Sequence, residues 1–214
     1  IKDKPPRDYD LNYALGTYYE YILFNERFKL LHNVWDKLLA NGLFPFIYLT
    51  EDTIKKIVQC VTMEWSLDHI ITEIKEKLIS DKENITRSFK RKEYLNSQLD
   101  FIDIGFVHLE NADYISCIAV IYPRIEGLLR NILFDLHPES KTASQNEQAN
   151  IITEIYDSPF GILFPDRFKT FLIEFYFQKF DPKNPIGLSR NTIGHGVARK
   201  EDFNELGAVI GILI

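Results

Sequence analysis

Apolar residues recur at three- and four-residue steps along most of the chain, the spacing that lines one face of an α-helix. From Asp10 onward, Leu11, Ala14, Leu15, Tyr18, Tyr19 and Ile22 share a face. Phe28, Leu31, Val34, Trp35, Leu38 and Leu39 continue the pattern to Asn41-Gly42. That pair suits a helix C-terminus, because glycine enters the left-handed region without a Cβ penalty. Phe44-Pro45 then breaks the chain, and residues 44–49 are the one run with any strand character. Thr50 is a suitable N-cap, with Glu51 and Asp52 in the first turn where the helix dipole favours acids. Ile54, Ile57, Val58 and Val61 carry that helix on. Ser66 offers another cap ahead of Ile70, Ile71, Ile74 and Leu78. The polar run Ser80–Asn84 reads as a linker, and one helix is expected from about Ile85 to His108.

Asn111-Ala112-Asp113 starts the next and longest element. Tyr114, Cys117, Ile118, Ile121, Ile125, Leu128, Leu129, Ile132 and Leu133 form a nearly continuous stripe to about Leu136. Pro123 falls inside it and is expected to kink or split the helix, since proline removes one backbone donor and clashes with the preceding turn. Pro138 to Asn150 is polar and reads as a loop. A further helix, rich in aromatics, spans about Pro165–Phe180 and stops at Asp181-Pro182-Lys183-Asn184-Pro185. A last helix is expected from about Glu201. The lead-in Ile1–Asp8, with Pro5-Pro6, is expected to be extended. No repeat or sustained strand alternation occurs. The expected fold is all-α: a helical region over residues 1–100, then a helical bundle over 101–214.

Composition narrows the function. With 214 residues, 45% of them hydrophobic, the chain can bury a substantial core. The net charge of −6 excludes coating nucleic acid by bulk electrostatics. Residues 1–100 hold 15 Lys/Arg against 16 Asp/Glu, and the remainder 10 against 15, so any RNA contact must rest on a local cluster. The best basic run, Arg87–Lys92, reads first as a solvated helix face. Cys60 and Cys117 lie far apart without a CxxC partner and read as small core hydrophobes. The five histidines show no HExxH or HxxxH spacing, so no metal or cofactor is expected. There is no GxxxxGK[ST] or GxGxxG loop and no GxSxG elbow. No apolar run is long enough to span a membrane, which points to a soluble, cytoplasmic protein.

The chemistry concentrates in Arg190-Asn191-Thr192-Ile193-Gly194-His195-Gly196. Arg190 is a permanent planar cation suited to a phosphate and to the charge that builds in its transition state. His195 can take or give a proton near neutral pH. Four residues apart on a regular helix, Asn191 and His195 share a face, so the amide could orient the imidazole. Arg190 and His195, five apart, would diverge by about 140°. Either the Arg side chain curls back or the segment is not a plain helix, an option that Gly194 and Gly196 make easy. Glu126 stands on the long apolar helix, where a lone carboxylate is costly unless paired. It could pair with Arg130 one turn on.

These residues resemble the HEPN superfamily, whose hallmark is Arg-x(4–6)-His, often with Asn after the Arg and Gly after the His, beside the final helix of a small bundle. The resemblance covers about the C-terminal half. It implies a metal-independent endoribonuclease, RNA as substrate, and a homodimer in which two copies of the motif face each other. Arg190, Asn191 and His195 would be the catalytic residues, with Glu126 in support, orienting Arg190 or His195 from the long helix. The product would be a 2′,3′-cyclic phosphate, the setting defence or stress response, and a neutralising protein partner would accompany a toxin-like member. The family also implies a second reading: a catalytically silent helical module for dimerisation or docking.

Overall fold

The computed structural model describes residues 18, 32–90, 93–155, 163–181, 183 and 187–214. The lead-in and, apart from Tyr18, the first predicted helix lie outside the described residues. Among those described the fold is all-α, and no strand forms.

Helix α1, His32–Ala40, ends where the Asn41-Gly42 pair predicts, with Gly42 at φ +67°. The segment with strand character is instead an aromatic plug. Phe44 and Phe46 are buried, and their rings lie 5.2–6.2 Å from those of Phe168 and Phe171. Helix α2, Glu51–Met63, is capped by Thr50, whose hydroxyl accepts from the Thr53 N–H at 3.2 Å. Helix α3, Asp68–Ser80, starts after Leu67 and not after Ser66. The Ser66 hydroxyl instead accepts from the Asp68 N–H at 3.1 Å, one residue short of a capping position.

Two polar segments hold more helix than their composition suggests. The linker expected at Ser80–Asn84 shrinks to Asp81, and α4 runs Lys82–Phe89. The single helix expected over 85–108 is three: α4, then α5, Glu93–Asn96, then α6, Leu99–Glu110, after the break at Ser97-Gln98. The loop expected over Pro138–Asn150 gives way at Ser144 to α8, Gln145–Ile155. Ser144 and Glu147 form a reciprocal cap: the Glu147 carboxylate accepts the Ser144 N–H at 2.7 Å, and the Ser144 hydroxyl accepts the Glu147 N–H at 3.3 Å.

Helix α7, Tyr114–Leu136, is the axis of the fold. Asp113 caps it by accepting the Ser116 N–H at 3.2 Å, and the helix is continuous through Pro123. Pro123 and Ala119, whose carbonyl loses its partner there, both lie on the exposed side, so water can replace the missing bond. The opposite face buries Cys117, Ile118, Ile121, Tyr122, Ile125, Leu129 and Leu133. Against it pack α6, α8 and α11, Glu205–Leu213. Two glycines set these approaches. A Cβ on Gly105 would come within 2.6 Å of Ile121 Cγ1, and one on Gly211 within 2.9 Å of Tyr122 Cε2. Cys117 is fully buried, which pushes its thiol up to about 12 and keeps it protonated; Cys60 is only half-buried.

The helix expected over 165–180 is α9, Leu163–Phe171, followed by a π turn at Leu172–Tyr176. The last helix begins later than expected. A 3₁₀ turn at Lys200–Asp202 precedes it, and Asn204 provides the cap by accepting the Gly207 N–H at 2.9 Å. Helix α3 packs on both α6 and α11, with the Thr72 hydroxyl 3.1 Å from the Glu205 carboxylate. One buried cluster thus draws on residues either side of residue 100. No described helix is long and apolar enough to cross a membrane.

Candidate functional site

The motif segment forms a five-residue helix, α10, Arg190–Gly194, held at both ends by its own sequence. At the start, the Ser189 hydroxyl accepts the Thr192 N–H at 3.1 Å and the Thr192 hydroxyl accepts the Ser189 N–H at 2.9 Å. Both side chains are buried. At the end, the Val197 N–H donates to the Thr192 carbonyl at 2.9 Å and the Gly196 N–H to the Ile193 carbonyl at 3.0 Å. Gly196 takes φ +68°, which completes a Schellman termination with His195 as the last residue of right-handed conformation.

Within this frame the Arg190 side chain curls back. Its terminal nitrogen lies against Gly194, so close that a Cβ on that residue would overlap Nη1. The side chain thus runs along α10 to Gly194, and among the described residues no hydrogen bond joins it to the His195 imidazole. Gly194 is required for side-chain passage, not for backbone freedom.

Glu126 meets the motif from α7. Only 7% exposed, it is clamped by two arginines: its Oε2 pairs with Arg190 Nε, and its Oε1 accepts from Arg130 Nη2 at 2.5 Å. The two pairings open to Glu126 in the sequence occur together, and no contact joins it to His195. Beneath the clamp lies Tyr176, fully buried, whose hydroxyl donates to the Tyr122 carbonyl. Burial first, and then the nearby Glu126 carboxylate, hold this phenol well above its usual range, so it stays a donor.

Asn191 does not orient His195. Its amide N–H groups donate to the Phe177 carbonyl at 2.9 Å, to the Gln178 carbonyl at 3.2 Å and to Gln145 Oε1 at 3.2 Å. Its oxygen accepts from Gln145 Nε2 at 2.7 Å. Asn191 thus satisfies carbonyls left open at the end of the π turn and latches α10 to α8. The His195 imidazole is exposed and rests against Phe180, ring centres 5.4 Å apart.

The site is thus a half-buried guanidinium with its Nη donors free of hydrogen bonds among the described residues, and an exposed imidazole at the far end of the same short helix. Gln145 belongs to it although nothing in the motif points to it, while Arg130 enters as the second partner of Glu126 and Gly194 as the residue that the Arg190 side chain passes. Gln145 was readable only through the Ser144–Glu147 cap that starts its helix. No three described His, Cys, Asp or Glu side chains converge in a way that would hold a metal ion. In comparison with known proteins, no family model, curated protein or solved structure matches the chain.

Proposed function

We propose that this protein is a metal-independent endoribonuclease of HEPN type, working as a homodimer. The observation that carries the reading is Arg190: its Nε is engaged by a buried carboxylate while its terminal donors stay open, on the same helix as an exposed histidine. A guanidinium so held is oriented before substrate arrives, which saves the cost of ordering it in the transition state. In the proposed reaction a ribose 2′-oxygen attacks the adjacent phosphorus. The bond from phosphorus to the 5′-oxygen breaks, leaving a 2′,3′-cyclic phosphate and a 5′-hydroxyl. His195 accepts the 2′-proton, Arg190 binds the non-bridging oxygens, and His195 of the partner subunit protonates the departing oxygen. RNA is the substrate and the dimer supplies the second motif. A role in defence or stress response, a cytoplasmic location and a neutralising protein partner belong to the same reading.

The test is incubation of labelled mixed RNA with the purified chain in EDTA, alongside light scattering. Cleavage with cyclic-phosphate ends by a dimer is expected, and a monomeric, inactive protein would sink the proposal. Gly194→Ala gives a second expected result. The new methyl displaces Arg190, whose flexible side chain yields, while alanine improves helix propensity by about 0.5–1 kcal/mol. Cleavage should fall as far as in Arg190→Ala with the melting temperature little changed; full activity would show that the curled conformation is unimportant.

A specific observation favours the silent-module reading as well. The Asn191 amide is fully committed to Gln145 and the π-turn carbonyls, and His195-Gly196 forms a helix ending that needs no catalytic explanation. A well-folded dimer that cuts no RNA would establish it.

A further inference from the structure

Arginines outnumber the carboxylate they share. A nearly buried Glu126 needs one cation to offset its desolvation. Arg190 already supplies it, and yet Arg130, one turn along α7, binds the other oxygen. Arg130 is 45% exposed, a position at which an ion pair adds little stability. Its Nε and Nη1 make no hydrogen bond among the described residues. Two permanent cations on one anion leave a local charge of +1 on a chain whose net charge is −6. Glu126 holds the two guanidinium groups side by side in spite of their repulsion, with open donors on each.

We infer that Arg130 is a second phosphate ligand of this site, which binds the phosphodiester backbone of single-stranded nucleic acid between Arg130 and Arg190. A guanidinium presents a fork of parallel donors that matches phosphate oxygens. The excess charge of +1 matches the single charge of a backbone phosphodiester. A phosphomonoester or free phosphate carries about −1.5 to −2 near pH 7 and would be left overcharged. This inference rests on the reading of Arg190 as a phosphate-binding residue, but not on the occurrence of cleavage.

The experiment is fluorescence anisotropy with a labelled single-stranded oligodeoxynucleotide, which lacks the 2′-hydroxyl and so is bound without being cut. Wild type and Arg130→Gln are titrated across a salt series. In the variant Glu126 keeps Arg190, so the fold persists, which a matching melting temperature verifies. Loss of one phosphate contact should weaken binding and flatten the plot of log K against log salt by about 0.7. Equal affinity and slope in the two proteins would overturn the inference, as would a wild type that does not bind. Displacement of the oligonucleotide by an equal concentration of inorganic phosphate would also overturn it, by marking a site for small anions. Cleavage assays keep the two proposals apart. Binding that responds to Arg130→Gln without any RNA cleavage sinks only the catalytic reading. RNA cleavage with KM and kcat untouched by Arg130→Gln sinks only this one.

Discussion

Replacing His195 by alanine should lower RNA cleavage by about 10²–10⁴-fold, the usual contribution of a positioned acid or base. Stability should stay within about 0.5 kcal/mol of wild type, as for an exposed position. The separation of the two effects follows from the geometry. The imidazole is exposed and rests against the Phe180 ring. The helix ending at this residue is made by backbone bonds, Val197 to Thr192 and Gly196 to Ile193, which alanine preserves. Cleavage rates on labelled RNA and a thermal melt check both halves. Unchanged cleavage would exclude His195 from the chemistry, and a large drop in melting temperature would assign it to the scaffold. Asn191→Ala should behave in the opposite way, destabilising the protein through the carbonyls of Phe177 and Gln178.

The sequence was most legible where a single local signal decides the outcome. Thr50 with Glu51 and Asp52, Asp113 ahead of Tyr114, and Gly42 after α1 act within one turn, so composition alone exposes them. Where a polar run conceals a reciprocal pair, averaging hides the signal. Ser144 and Glu147 are a capping box inside a stretch that looks like a loop, and Asn204 caps α11 three residues beyond the expected start. Pro123 shows the reverse: a strong breaker whose cost is absorbed because its lost bond faces solvent.

For the site, a carboxylate alone on an apolar helix correctly announces a partner for Glu126. It does not announce two, because each arginine alone satisfies the sequence-level argument. The expectation that the Asn191 amide orients His195 is not met, for a different reason. Its strongest partners, Phe177 at 14 residues and Gln145 at 46, are set by tertiary packing, whereas the helical i, i+4 rule looks only toward His195.

The Glu126 clamp yields the largest expected stability effect, and it is strongly non-additive. Arg190→Ala alone leaves the carboxylate paired with Arg130, and should cost about 1–2 kcal/mol for the lost ion pair, the lower part of the range for unpairing a buried polar group. Arg130→Ala alone should cost less than about 1 kcal/mol, since that side chain is 45% exposed. Removing both strands an ionised carboxylate at 7% exposure over the Tyr122–Tyr176 packing. That loss should reach about 3–5 kcal/mol, the usual penalty for an uncompensated buried charge. The coupling between the two substitutions should therefore be about 1–3 kcal/mol, well beyond the error of independent sites. Adding Glu126→Met to the double variant removes the charge and fills the same volume, so most of the lost stability should return while nucleic-acid binding does not. Urea unfolding of the four variants tests this. A double variant whose loss equals the sum of the singles would mean that water already compensates Glu126. The clamp would then be a surface ion pair, and Arg190 would lack the buried anchor that pre-orients it toward a phosphate.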